Sequence, residues 1–190
     1  MPKLGMEPLR KSALVSATIA ELGARGSLDV TVSQIAKRAG MSSALAHHYF
    51  GGKDQIFLAA MRQILREFGA EVRSALQAAT SPRARAYAVI EASFAPSCFA
   101  PANISAWMTL YGAAQGNAET RRLLHLYQAR LHSNLVHALR PISAHPEIHA
   151  RSMAALIDGL YLRAALAPEF SADAARTTAI ATLETLLWQP

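Results

Sequence analysis

Apolar residues recur along this chain three and four positions apart, and no stretch alternates apolar with polar at every second position. Ala13, Leu14, Ala17 and Leu22 form one such stripe, and Ile56, Phe57, Ala60, Ile64 and Phe68 form a longer one. That spacing fits one face of an α-helix and not a half-buried strand. Alanine, leucine and arginine dominate while valine and isoleucine are sparse, which agrees with an all-α fold. Punctuation residues cut the pattern into about nine helices. The first starts near Glu7–Pro8 and stops at Gly26. Thr31 caps Val32–Ala39, Gly40 ends it, and Ser42 caps Ser43–Phe50. After Gly51–Gly52 a long helix runs to about Ala79. Ser81–Pro82 opens the next, through about Ala95, and Pro96 and Pro101 break the chain before a helix over roughly Asn103–Gln115. Ala118–Arg140 follows, then Pro146–Leu166, and finally a helix from Ser171 or Asp173 to near Trp188.

Composition narrows the class. The chain has 190 residues, 52% of them hydrophobic, enough for a sizeable core and too apolar for a disordered chain. A single cysteine, Cys98, excludes an internal disulfide and suits a reducing cytoplasm. The first residues, 1–10, lack the apolar run of a secretory signal. The stretch from Ala92 to Ala118 carries no charge, but Pro96, Pro101, Asn103, Gln115 and Asn117 argue against a membrane span.

The net charge of +6 points weakly to an anionic partner. Over residues 1–55 seven basic residues face four acidic ones, so about half of the excess sits in under a third of the chain. That same segment holds two short helices separated by Gly40-Met41-Ser42, the pattern of a helix-turn-helix, with Ile35, Ala36, Ala39 and Leu45 set to hold the crossing. The second helix would offer Ser42, Ser43, Ala44 and His47 to a major groove, and Lys53, at a helix start, suits a phosphate. Short helix pairs are also common in proteins that never touch DNA. An all-α carrier or enzyme with an incidentally basic end therefore stays open as the alternative.

The segment from Thr31 to Phe50, TVSQIAKRAGMSSALAHHYF, followed by Lys53, resembles the TetR family of transcriptional regulators. The opening MPKLGM, the triplet His48-Tyr49-Phe50, Ser133–Val136 and the block Ala155–Leu166 are similar to the BetI-like subgroup. These repressors of glycine betaine synthesis genes respond to choline. The resemblance runs over nearly the whole chain. It implies a helix-turn-helix domain over residues 1–55, with its motif at about 31–50, and a ligand-binding and dimerisation domain over 56–190. It also puts Thr31, Tyr49 and Lys53 on phosphates, and Ser33, Ser42, Ser43, Ala44 and His47 near bases. Much of the subgroup reads STGIISH where this chain has Ser42-Ser-Ala-Leu-Ala-His-His48, so its operator preference is expected to differ.

In the second part, Trp107 and Tyr111 share a helix face at i and i+4, and Asp158 and Tyr161 share another at i and i+3. Aromatic faces with one carboxylate suit a quaternary ammonium, which offers no ordinary hydrogen bond and is held by ring quadrupoles and opposite charge. Trp107, Tyr111, Asp158 and Tyr161 are thus the expected wall of a choline-sized pocket, with Phe94, Met108 and Tyr127 as further candidates. Equally, the rings could be plain core and Asp158 could pair with Arg121, Arg122 or Arg151. The last two helices are expected to form a homodimer interface, with Ala154, Ala155, Ala164, Ala165 and Ala181 allowing close approach and Ile157, Leu160, Leu183 and Leu187 supplying apolar area. His145 and His149, with His125, His132 and His137 scattered on one helix, lack the further ligands of a metal site. His47 and His48, being adjacent, should divide between DNA and packing. No Gly-x-Ser-x-Gly, phosphate-cradling glycine loop or His-Glu-x-x-His is present, so no enzyme and no cofactor is expected.

Overall fold

A computed structural model describes residues 5–25, 30–167 and 169–188. Among these residues the chain forms nine helices and no strand: α1 Met6–Arg25, α2 Val32–Arg38, α3 Ser43–Phe50, α4 Lys53–Ala78, α5 Pro82–Ser93, α6 Pro101–Gly116, α7 Ala118–Leu139, α8 Pro146–Leu166 and α9 Ala172–Trp188. The expected stop of α1 at Gly26 lies outside the described residues. The other boundaries fall within about two residues of expectation, and capping side chains set the starts of α2, α3, α5 and α7. Thr31, Ser42, Ser81 and Asn117 each accept a hydrogen bond from a backbone N–H in the first turn that follows.

Helix α1 packs on α2, α4 and α6, and α2 packs on α3, which builds a three-helix unit against the start of α4. Leu14, Ala17 and Leu22 are buried as expected. Ala13 is exposed instead, and Thr18 takes the inward place by donating its hydroxyl to the Leu14 carbonyl at 2.8 Å. Glu21 is nearly buried on the same face, where Arg38 of α2 donates to it and Arg25 lies 3.5 Å away. The Arg38 hydrogen bond holds the Glu21 carboxyl below its usual range, so the clamp between α1 and α2 is ionic at neutral pH.

Helix α4 is continuous from the three-helix unit into the rest of the molecule. There α5 sits inside, packed by α4, α7 and α9, with Ala86, Val89 and Ile90 fully buried. A helix buried on most sides loses the polar face of a surface helix, which is why α5 shows little amphipathic pattern. Helices α6, α7 and α8 pack on one another, and α9 closes against α8 and α5. Ile157, Leu160 and Leu183 are sealed inside this subunit core and do not face outward, contrary to the sequence expectation. No helix among the described residues is long and apolar enough to cross a membrane.

Candidate functional site

Helices α2 and α3 meet at a turn that only a few residue types could make. Gly40 adopts φ +67°, in the left-handed region that suits glycine, and the Met41 N–H donates back to the Ala36 carbonyl at 2.8 Å. Ile35, Ala36 and Ala46 are buried at the crossing; Ala39 and Leu45 are only half-buried. Thr31 and Gln34 form a reciprocal capping box, and the Ser42 hydroxyl accepts from Leu45 N–H at 3.2 Å. Each capping hydroxyl still carries its own proton for a further acceptor such as a phosphate oxygen.

Beyond the caps, Ser33, Ala44 and His47 are exposed, whereas Ser43 is half-buried. The His47 Nδ1 lies 3.3 Å from the Gly51 carbonyl, which can only accept, so Nδ1 holds the proton and Nε2 is the acceptor of the neutral ring. His48 is exposed as well, so the two histidines do not divide into one outward and one packed. The His48 ring rests beside Tyr49, 5.5 Å between centroids. Tyr49 packs against the core and its hydroxyl accepts from Arg10 of α1 at 3.3 Å, with the Lys11 ammonium 6.0 Å from the ring. Lys53 opens α4. Arg10 and Lys11 count in the basic excess of residues 1–55, but they sit almost 40 residues before Tyr49, and only the packing of α1 brings them beside it.

The second constellation centres on Trp107, which is 4% exposed. Its ring centroid lies 4.3 Å from Tyr127, 6.0 Å from Tyr111 and 6.3 Å from Tyr161. The Tyr127 hydroxyl donates to Asp158 Oδ1 at 3.3 Å, and the Tyr111 and Gln128 side chains approach the same carboxylate as hydrogen-bonding neighbours. Burial raises the Asp158 pKa, and those hydrogen bonds oppose the shift. Burial likewise pushes all three phenols further up, so they stay neutral donors. Tyr161 donates to the Ser93 and Cys98 carbonyls, at 2.6 and 3.3 Å, which anchors α8 to the end of α5. Asp158 makes no ion pair with Arg121, Arg122 or Arg151. Phe94 stacks beside Tyr161 and Phe99, one ring removed from Trp107, and Met108 is a half-buried neighbour of the core.

These rings lie almost closed on one another. The cavity among Trp107, Tyr127, Tyr161, Phe68, Glu67 and Asn103, which Tyr111 and Asp158 do not line, has a volume of about 10 Å³, room for about one water. Tyr127 is the ring that joins Trp107 to Asp158, and Phe68 meets it edge-on at 5.9 Å. The histidine-rich segments do something else: Ser143 lies 2.9 Å from His149 Nδ1, and no group of three metal-ligating side chains converges among the described residues.

Both halves match known sequence profiles. The profile described as "Bacterial regulatory proteins, tetR family" covers residues 14–60, and that of the "BetI-type transcriptional repressor, C-terminal" covers residues 82–187. The chain belongs to the TetR family. It is thus a DNA-binding transcriptional regulator, with a C-terminal part of the BetI repressor type. Among its TetR-family relatives, the transcriptional regulator BetI of Brucella anthropi is 52% identical over 168 residues, covering 87% of each chain. BetI of Brucella melitensis is 50% identical over 182 residues, 95% of this chain and 91% of that one. A transcriptional regulator of Pseudomonas aeruginosa superposes with a TM-score of 0.80 at 28% identity, over 95% of this chain and 91% of that one. A regulator from Saccharomonospora viridis, solved in complex with choline, shares the fold with a TM-score of 0.83 at 20% identity, over 92% and 95%.

Proposed function

We propose that this TetR-family chain is a homodimeric, cytoplasmic repressor of choline and betaine genes, with choline or a related quaternary ammonium as its effector. The observation that carries the ligand reading is Trp107, surrounded by Tyr111, Tyr127 and Tyr161, with the Asp158 carboxylate accepting from the Tyr127 phenol. Ring faces attract a cation that cannot hydrogen-bond, and the carboxylate supplies the countercharge. The names of the BetI relatives and the choline complex of the S. viridis regulator support the same chemistry. Since the cavity holds about one water, choline has to part the rings around Trp107 to enter.

On the DNA side, residues 1–55 act as the reading domain and 56–190 as the sensing and dimer domain. Thr31, Tyr49 and Lys53 hold phosphates while Ser33, Ser42, Ser43, Ala44 and His47 approach the bases. A dimer gives two such helices for a palindromic operator. The dimer face is the outward side of α8 and α9. Ile148, Ala155, Gly159, Leu162 and Leu166 are exposed along α8, and Ala174, Thr178, Ala181, Thr185 and Trp188 along α9. The stripes follow three- and four-residue spacing apart from a seven-residue step between Ile148 and Ala155, and Leu162, Leu166 and Trp188 are 49, 77 and 87% exposed. The Thr178 and Thr185 hydroxyls donate to carbonyls of their own helix, so they can be covered without losing a partner.

Titration calorimetry with choline, beside a mobility shift on DNA flanking the gene, tests the reading. Choline should bind wild type, bind Asp158→Asn about tenfold more weakly, and lower operator affinity. No choline heat with wild type, or an operator affinity unchanged by saturating choline, would remove the effector role. Sedimentation that shows a monomer at micromolar concentration would remove the dimer.

A further inference from the structure

Sharing Phe68 and Tyr127 with the ring-cluster cavity lies a second, larger space. A groove of about 330 Å³ runs between α4 and α7, with Phe68, Val72, Leu126 and Tyr127 on its apolar side and Arg73, Arg130 and Asn134 as its polar groups. Its volume is at the lower end of the range for small-molecule sites. Val72 and Tyr127 are buried at its floor, and Leu126 is 45% exposed at its edge, so an apolar wall is left uncovered. The polar groups that complete it are two guanidiniums and one amide. No Asp or Glu lines it, and neither Arg73 nor Arg130 pairs with a carboxylate in the structure. The acids nearest in sequence are engaged elsewhere: Glu71 accepts from Ser97, and Glu67 accepts from Gln63. Gly69 makes room for one guanidinium, since a Cβ there would stand 3.3 Å from Arg73 Nη1.

An apolar wall and two unpaired guanidiniums repel the cation that the ring cluster suits. They match a carboxylate carried on an aliphatic chain, because a guanidinium donates paired hydrogen bonds to a carboxylate while the wall takes the chain. We propose that this groove is a second effector site, binding a small amphiphilic carboxylate and communicating with the ring cluster through the shared side chains of Phe68 and Tyr127. Phe68 touches Tyr127 edge-on, and Tyr127 in turn meets Trp107 and Asp158. A chain seated against Phe68 and Tyr127 restricts their movement, and that movement is what choline needs. The coupling rests on the choline reading of the cluster; the groove site does not.

Octanoate, with 1-octanol as the same chain lacking charge, is the probe. Calorimetry should show octanoate binding wild type at least about tenfold more tightly than octanol, a preference that a charge-assisted bidentate contact supplies. The double variant Arg73→Gln, Arg130→Gln should bind the two probes alike and keep its circular dichroism and its affinity for choline. Equal binding of octanoate and octanol to wild type, or an octanoate preference kept by the folded double variant, would overturn the site. Choline titrated into octanoate-saturated protein should bind about threefold or more weakly, a reciprocal effect that linkage requires of coupled sites. An unchanged choline affinity would overturn the communication. Octanoate binding is read without choline, so a failed ring cluster and a failed groove give different results.

Discussion

The reading head and the ring cluster are built by opposite strategies. In the head, nearly every decisive contact is local: Thr31 with Gln34, Ser42 with Leu45, His47 with Gly51, Met41 with Ala36. In the cluster, Trp107 with Tyr111 apart, the decisive contacts join elements far apart in the chain, as Tyr127 does with Asp158 and Tyr161 with Ser93. The head therefore tolerates change one contact at a time, whereas the cluster shares one tightly packed volume. Substitutions that separate or merge these behaviours test the contrast.

The largest effect is expected inside the cluster. Trp107→Ala removes the ring that three tyrosines surround and should destabilise the protein by about 3–5 kcal/mol, read by chemical denaturation. Trp107→Phe should lose much less, because a ring still fills the volume. Equal losses for the two variants would show that the cluster does not share its packing as described.

Next comes a change on the opposite side of the contrast. Ala44→Glu places a carboxylate on the exposed face of α3 and should weaken operator binding about 100-fold through like-charge repulsion with DNA. Stability and choline affinity should hardly move, because Ala44 is exposed and touches neither the core nor Trp107. A mobility shift and a melting curve on the same preparation check both halves of that statement.

Asp158→Asn should separate stability from function. Burial raises the Asp158 pKa, so the folded state binds its proton more tightly than the unfolded chain does. Stability from this group is then greatest at low pH and declines as pH rises from the ordinary carboxylate value through the raised one. At neutral pH the ligand-free Asn variant should be more stable than wild type, while choline binding weakens. The stability advantage should shrink as the pH is lowered through the raised pKa. An advantage that is the same at pH 7 and at acid pH would contradict the electrostatic origin.

Smallest are the local parts of the head. Ser42→Ala should cost about 1 kcal/mol through the lost cap. Gly40→Ala should cost a similar 1–2 kcal/mol or so because alanine resists the left-handed backbone there. Thermal melting reads both, and their sum in the double variant should be smaller than the single loss from Trp107→Ala.

The same contrast explains what the sequence could tell. Thr31, Gly40, Ser42, Ser81 and Pro146 mark helix ends through chemistry contained within four or five residues, so those boundaries could be read directly. The pairs Trp107–Tyr111 and Asp158–Tyr161 were visible as shared faces for the same reason. That Tyr127 would join the two pairs depends on how α7 is rotated between α6 and α8, and no local spacing encodes that rotation. Ile157, Leu160 and Leu183 failed for a related reason. Apolar residues on a terminal helix can face the subunit's own core or a partner, and here they face the core. Ala155, Leu162, Leu166, Ala181 and Trp188 are left on the outside.

The one-water void beside Trp107 also has a bearing on dose. A binding site that is shut most of the time responds to its ligand with an apparent affinity reduced by the fraction of molecules that are open. If choline is the effector, as proposed, the concentration at which the repressor lets go is a property of the resting ring cluster as much as of the cation's contacts. Side chains that hold the rings together, such as Phe68 at the edge of Tyr127, become natural places to tune the threshold. A looser neighbour there would make the sensor more sensitive without altering what it senses.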